Sequence, residues 1–267
     1  DIDRKVYDDL SKRFVYASVV PTTFKDGLEI YLADYPYGCS EQVTSKAYPY
    51  IFRNFIAKDK TQAETDEMIA ETVAILQSRQ KPNGHIGYWT DSSTENEFIT
   101  LYVAEFITDA RANGFNISSS FYEKTLGAVR DIAYGSFSTV GKNTEDGIYN
   151  RAYAAYILTK NDITTTTILE GIVKDASAAK VKVDGYTGLY LAACYKMLMV
   201  DKQADEMLNK VNRKITFSKS YIYHISFRCF FFHRKLHSAH KNVLMCICVT
   251  VYHIPSKKST AFAKIQR

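Results

Sequence analysis

The sequence predicts an all-α domain over residues 1–213, followed by a basic tail of different character over residues 214–267. Two observations favour helices in the first part. Apolar residues recur every three to four positions, and capping or turn residues separate these runs at short intervals. A third observation is that no segment before the tail alternates apolar and polar residues over the length of a strand. The length and an apolar content of 46% suit a globular chain with a sizeable core.

About nine helices are predicted before the tail. Thr61 and Glu64 form a capping-box pattern at the start of one, Ser118 caps another, and Gly114 suits the end of the helix before it. In chain order the segments are residues 21–33, 40–57, 61–80, 96–113, 118–135, 146–160, 166–179, 186–200 and 203–212. The fourth is apolar on more than one face, which predicts packing on several sides. Periodicity does not choose between an ordinary bundle and a curved stack of antiparallel helix pairs.

The net charge of +5 conceals an abrupt change of composition. Residues 209–267 hold twelve Lys and Arg and no Asp or Glu. Residues 1–208 therefore hold the other 22 basic residues and all 29 acidic ones. Residues 220–232 and 243–253 are rich in strand-favouring types, so the tail is expected to be β-rich or disordered. We interpret residues 214–267 as foreign to the natural domain, through a shifted reading frame or a misjoined gene model. The alternative is a basic β-rich extension that pairs with further domains.

Several classes of function find no support in the sequence. No apolar run is long enough to span a bilayer, and no signal peptide is recognisable at the start of this chain. The histidines and cysteines of the tail match no common zinc-finger spacing, so no metal is predicted. The tail's basic residues form no recognisable nucleic-acid-binding module, so no nucleic-acid partner is predicted.

One short segment carries a distinctive chemistry. Its residues are Tyr35-Pro36-Tyr37-Gly38-Cys39-Ser40-Glu41-Gln42. Cys39 and Gln42 are three residues apart and therefore neighbours on one helical turn. A thiol held against a side-chain amide can displace ammonia and leave a thioester, which later acylates amines or hydroxyls. Since water also attacks this bond, it must be kept dry. A bare Cys-x-x-Gln is common, and its other interpretation is a buried structural cysteine beside a solvated glutamine.

The residues around the pair decide between these interpretations. Residues 31–47 closely resemble the thioester region of bacterial α2-macroglobulins, which has a Tyr-Pro-x-Gly-Cys-x-Glu-Gln core. Later segments resemble the same family in the same order, namely the glycine-rich loop 84–89, the helix 100–115 and the helix 150–158. The resemblance covers roughly residues 14–212.

This resemblance implies an α/α toroid of concentric inner and outer helices. We expect the toroid to be incomplete in this chain, since about nine predicted helices are fewer than a closed one has. It also implies a fragment of a macroglobulin-type endopeptidase inhibitor, not an enzyme, with no cofactor. A protease cleaves a bait segment elsewhere in the full protein, the thioester is exposed, and a lysine or hydroxyl of the protease attacks it. Cys39 is then the acyl carrier and Gln42 the source of the acyl group, while Gly38 and Glu41 are motif residues of unassigned role.

The family also implies partners and a location. The partners are the target proteases and the other domains of the parent macroglobulin. The location is the periplasm or cell envelope, or outside the cell.

Further residues are candidates for supporting roles. Tyr37, Tyr88 and Trp89 are predicted to shield the thioester, with core packing as the alternative for the latter two. In some relatives a histidine directs the thioester toward hydroxyls. His85, the only histidine before the tail, is better explained as a surface loop residue. Cys194 lies in an apolar helix and is predicted to be a buried structural thiol.

Two other functions stay open. One is an α/α-toroid enzyme of the terpenoid cyclase or prenyltransferase type, which needs an Asp-rich motif or a zinc site. Before the tail, however, aspartates cluster only at the extreme N-terminus, and His85 stands alone. The other is a structural toroid whose thioester does not form.

Overall fold

The computed structural model describes residues 38–52 and 60–212, together with the short segments 224–225 and 251–252. The described part contains eight helices: α1 (Ser40–Ile51), α2 (Gln62–Ser78), α3 (Glu97–Ala112), α4 (Ser119–Tyr134), α5 (Glu145–Lys160), α6 (Thr166–Ala178), α7 (Gly185–Met197) and α8 (Asp201–Asn212). The predicted all-α fold is confirmed. The predicted helix over residues 21–33 lies outside the described residues.

The helices are arranged in two layers. The inner layer is a row in which α1 packs on α3, α3 on α5, and α5 on α7. The outer helices α2, α4, α6 and α8 each pack against the inner helices that precede or follow them. Burial agrees with this arrangement, because α3 and α5 are buried on nearly every side, whereas α6 buries only the stripe of Ile168, Leu169, Ile172 and Ala176. Alternating inner and outer helices are the arrangement of an α/α toroid, not of a simple bundle.

Side-chain caps fix where four of the eight described helices begin. Thr61, Asn96, Ser118 and Thr144 each accept a hydrogen bond from the backbone N–H three residues later, at the starts of α2, α3, α4 and α5. At the other end of α4, Gly135 adopts a left-handed conformation with φ of 70°. The predicted caps at Thr61 and Ser118 are therefore confirmed.

The predicted helix 40–57 is longer than the observed one. Helix α1 ends at Ile51, and Phe52 leaves the helical conformation with φ of −104° and ψ of 36°. Pro49 lies in the last turn and has no N–H to donate. The Phe52 N–H instead donates to the Pro49 carbonyl at 3.1 Å, which closes the end of the helix. Residues 53–57 lie outside the described residues.

Buried polar groups join the inner helices. The Tyr48 hydroxyl of α1 donates to Asp109 of α3 at 2.6 Å, and Asp109 is also paired with Lys160 at the end of α5. Tyr153 of α5 donates to Glu105 of α3. Because each charge is buried with a partner, these contacts fix the relative positions of α1, α3 and α5 instead of destabilising them.

Two short strands belong to a separate unit of the chain. Strands β1 (His224–Ile225) and β2 (Val251–Tyr252) pair antiparallel, with His224 opposite Tyr252. Both fall within the segments predicted to favour strands, and the rest of the tail lies outside the described residues. Across the part of the chain that the structure describes, no helix combines the length and hydropathy needed to cross a membrane.

Candidate Cys–Gln site

The predicted pair Cys39 and Gln42 meets at the first turn of α1. Cys39 is the N-cap residue, with an extended backbone at φ −65° and ψ 164°, and Gln42 occupies the third helical position. The Cys39 backbone N–H donates to Gln42 Oε1 at 3.1 Å, and the Cys39 side chain faces the Gln42 backbone N–H. This reciprocal arrangement is a capping box in which cysteine takes the place of the usual serine or threonine. It keeps the Cys39 and Gln42 side chains together on the first turn of α1.

Ser40 anchors this turn to the glycine-rich loop over residues 84–89. Its backbone N–H donates to the Tyr88 carbonyl at 3.0 Å, and its hydroxyl donates to the Gly87 carbonyl at 2.6 Å. Ser40 is fully buried, and Cys39 is only 7% exposed. The loop therefore covers the start of α1 and restricts the access of water to the thiol.

Arg79, at the C-terminal end of α2, binds both the start of α1 and the glycine-rich loop. Its Nη2 donates to the Gly38 carbonyl at 2.7 Å, and its Nη1 lies 3.3 Å from both the Tyr88 carbonyl oxygen and the Ser40 hydroxyl. The guanidinium also lies 5.5 Å from the centre of the Trp89 ring. Burial lowers the pKa of Arg79, and the negative charge of an ionised Cys39 opposes that shift. Sequence reasoning missed Arg79, because nothing in its local pattern shows that it reaches the Gly38 carbonyl, 41 residues away in the chain.

Helices α2 and α4 hold the loop in place. The Gly87 N–H donates to the Arg79 carbonyl at 3.1 Å, and the Gln80 side chain donates to the Phe121 carbonyl at 3.0 Å. Gly84 has φ of +87°, and a Cβ there would lie 2.0 Å from the Lys124 carbonyl oxygen. Only glycine can turn this tightly against α4, so this glycine sets the path of the loop toward Ser40.

The predicted shielding residues differ in their surroundings. Tyr88 is half-buried, and burial raises the pKa of its hydroxyl, with smaller contributions from Glu41 and Cys39. Trp89 is 46% exposed, so the alternative that it packs in the core is wrong. Glu41 lies in the first turn of α1, where its negative charge interacts favourably with the positive end of the helix dipole. Tyr37 lies outside the described residues.

His85 is not the surface residue that the sequence suggested. It is 1% exposed, its ring centre lies 3.9 Å from that of Phe137, and its Nδ1 lies 3.4 Å from the Thr100 hydroxyl. Burial lowers its pKa, and the negative charges of Glu95, Asp131 and Glu97 partly oppose that shift. The turn at Gly84 directs this side chain into the interior, which a local reading of a glycine-rich loop does not reveal.

The second cysteine of the described part is a structural one, as predicted. Cys194 in α7 is fully buried, and burial raises the pKa of its thiol from 9.0 to about 12. Within the described ranges, no three His, Cys, Asp or Glu side chains come together as a metal site would require.

The fold and the site together define a class: a two-layered all-α domain with a cysteine–glutamine pair at the start of an inner helix. No protein-family profile matches the chain. Individual proteins do match. An α2-macroglobulin homologue of Yersinia pestis is 31% identical over 214 residues, which is 77% of this chain. The α2-macroglobulin of Rickettsia conorii is 28% identical over 225 residues, which is 81% of this chain.

Solved structures agree on the fold. Native Escherichia coli α2-macroglobulin has a TM-score of 0.64 at 19% identity and matches 73% of this chain and 13% of its own. Salmonella α2-macroglobulin reacted with methylamine has a TM-score of 0.63 at 16% identity, over 73% of this chain and 13% of its own. Over the matched region, the chain belongs to the bacterial α2-macroglobulin family. It spans only 10% of the Yersinia protein and 12% of the Rickettsia protein.

Proposed function

We propose that this chain carries the covalent trapping site of a macroglobulin-type endopeptidase inhibitor, an internal thioester between Cys39 and Gln42. The observation that carries the proposal is the reciprocal capping box at the start of α1. It places the two side chains on one helical turn, with the Gln42 carboxamide oxygen bonded to the Cys39 backbone N–H and the Cys39 side chain facing the Gln42 backbone N–H. An ordinary N-cap serine or threonine would cap the helix equally well but would supply no thiol.

The proposed reaction is a transfer of the Gln42 acyl group in two steps, first to the Cys39 sulfur and then to the protease. The Cys39 sulfur attacks Gln42 Cδ, a C–S bond forms, the C–N bond breaks, and ammonia leaves with the thiol proton. In the trapping step an amine or hydroxyl of a protease attacks the same carbon. The C–S bond then breaks, the sulfur takes up the proton, and the protease is left joined to Gln42 Cδ.

The surroundings of Cys39 support a protected bond. Cys39 is buried, and Tyr88 and Trp89 lie on the loop that is hydrogen-bonded to its helix, so we propose that these two rings limit the entry of water. The nearest hydroxyl in sequence, that of Ser40, donates its proton to the Gly87 carbonyl and also receives a hydrogen bond from Arg79. This hydroxyl is thus held in structural bonds and is unsuited to intercept the acyl group.

The rest of the mechanism belongs to the parent protein. A bait segment, the change of shape that exposes the thioester and the binding of a target protease would require other domains of a macroglobulin, which we propose as partners. We further propose a periplasmic, cell-envelope or extracellular location, and a domain boundary near residue 213 with a tail foreign to the natural domain.

The alternatives make different predictions. An α/α-toroid enzyme would need a metal or an acidic cluster, and a purely structural toroid would need neither of these nor a thioester. Both would leave Cys39 a free thiol from the start.

Reaction of the full chain with methylamine tests the proposal. We expect an intact mass lower by one ammonia than the sequence requires, then addition of methylamine together with release of one new thiol. The Cys39→Ala variant should show neither signal. A wild-type mass equal to that of the plain sequence, with no methylamine adduct, would contradict the proposal.

A further inference from the structure

Hydrogen bonds engage both ends of the peptide group between Gly38 and Cys39. On one side, Arg79 Nη2 donates to its carbonyl oxygen at 2.7 Å. On the other side, its N–H donates to Gln42 Oε1 at 3.1 Å. A positive charge is thereby connected, through one peptide unit, to the acyl oxygen of the proposed thioester. Hydrogen bonds linked in this way polarise and strengthen one another.

We propose that Arg79 is a positioning residue that makes the Cys39 backbone N–H an oxyanion donor for the Gln42 acyl group. This inference rests on the proposed function, since it concerns how the thioester closes and opens. When sulfur attacks Cδ, the carbonyl π electrons move to Oε1, and the N–H already points at that atom. Donors fixed where negative charge develops contribute a large part of the catalysis in acyl transfer.

The other contacts of Arg79 keep this peptide in place. The second nitrogen of its guanidinium lies 3.3 Å from the Tyr88 carbonyl oxygen, and that carbonyl accepts the Ser40 N–H. The peptide groups on both sides of Cys39 are therefore tied to the Tyr88 carbonyl, one through Arg79 and the other directly. A donor that does not move costs no reorganisation energy when the charge appears.

A purely mechanical role of Arg79 and the proposed oxyanion role predict opposite effects of its loss on the rate of thioester opening. If Arg79 only clamped the loop over the thioester, its loss would admit nucleophiles and speed opening while hindering closure. If Arg79 strengthens the oxyanion donor, its loss raises the barrier in both directions. With ammonia as nucleophile, opening is the reverse of closure, so both rates then fall by the same factor.

The experiment compares these rates in the full chain. Ammonia opens the bond and regenerates Gln42, and closure after its removal is followed by intact mass. For Arg79→Gln we expect both rates to fall about tenfold, because the charge behind the donor is lost while the backbone donor itself remains. Arg79→Lys, which keeps the charge without the planar fork, should lie between this variant and wild type.

Lys81→Gln is the matched control. Lys81 donates its side-chain hydrogen bond to the Ser92 carbonyl, away from the Gly38–Cys39 peptide, so its loss should leave both rates near wild type. Fluorescence of Trp89, the single tryptophan of the chain, reports whether each variant keeps the loop. If Arg79→Gln does not fold, Arg79→Lys decides the question.

The outcomes separate the two proposals. Opening at the wild-type rate or faster in the folded Arg79 variants would overturn the oxyanion role and leave the thioester intact as a proposal. A wild-type chain that never loses ammonia would overturn the thioester itself, and this inference with it.

Discussion

The Gln42 side-chain carbonyl accepts a hydrogen bond from the Cys39 backbone N–H at 3.1 Å, so each residue of the pair caps the other. The same contact that starts helix α1 therefore also keeps the Gln42 carboxamide at the residue that carries the thiol. Gln42 thus has two roles, capping helix α1 and supplying the proposed acyl group, and two substitutions of Gln42 separate them.

Gln42→Glu should abolish the thioester while keeping the helix cap. A carboxylate oxygen still accepts the Cys39 N–H, but a carboxylate has no ammonia to lose. Gln42→Ala removes both functions and should lower the free energy of unfolding by about 1 kcal/mol, the usual worth of a cap. Intact mass with methylamine tests the chemistry, and denaturant unfolding tests the cap. A methylamine adduct on the glutamate variant would contradict the assignment of Gln42.

Thiol titration should distinguish the two cysteines of the helical unit. In the native chain, Cys39 should react only after methylamine has opened the thioester, whereas Cys194 should stay silent, since its buried thiol has a pKa of about 12. Unfolding should expose Cys194. Because three further cysteines lie in the tail, the Cys39→Ala and Cys194→Ala variants are needed to assign each signal by difference. Native reaction that disappears in Cys194→Ala would refute its structural role.

Ser40→Ala should destabilise the helical unit by about 2 kcal/mol, because the buried Gly87 carbonyl loses the hydroxyl that donates to it. The matched control is Ser78→Ala, which removes an exposed serine hydroxyl bonded to the carbonyl of Ile75. Thermal unfolding measures the difference, and faster hydrolysis of the thioester should accompany it as the loop loosens. Equal stability of the two variants would contradict the anchoring role of Ser40.

Two glycines with nearly the same backbone angle allow a steric test. Gly84 and Gly114 have φ of +87° and +90°, but a Cβ would clash with a carbonyl only at Gly84. Both alanine variants should lose about 1 kcal/mol through backbone strain. Gly84→Ala should lose about 2 kcal/mol more, through overpacking against α4. Denaturant unfolding of the two variants tests this, and similar losses would show that α4 does not constrain the loop.

Stability should fall at alkaline pH. Burial, followed by the nearby acidic charges, raises the pKa of Tyr48 and Tyr156 well above 10.0. Above pH 10 these tyrosines lose their protons in the unfolded chain but keep them in the folded chain. Their contribution to the free energy of unfolding is therefore complete below pH 10 and declines as the pH rises toward their pKa values in the folded state. Tyr48→Phe should flatten the decline, while Tyr134→Phe, which alters an exposed ring, serves as its control. Unfolding midpoints across alkaline pH measure both, and an unchanged slope in Tyr48→Phe would contradict the prediction.

Much of the fold is readable from the sequence because its signals are local. The capping residues Thr61 and Ser118, together with helical apolar spacing, predict the starts of α2 and α4 to within a residue or two. The end of α1 is mispredicted, because the apolar spacing continues beyond Ile51, whereas the backbone leaves the helical conformation at Phe52. Whether the helices form a bundle or two concentric layers depends on which faces meet, and spacing within one helix does not contain that information.

For the candidate site, the sequence by itself determined that Cys39 and Gln42 are neighbours, since residues three apart on a helix lie on one turn whatever surrounds them. Only the tertiary structure decided that Arg79 reaches the Gly38 carbonyl, that Ser40 binds the glycine-rich loop, and that His85 points into the interior. These contacts join segments about forty residues apart in the chain, or depend on which side of a turn faces the core. They follow from the packing of α2 and α4 around the loop, and no local pattern encodes that packing.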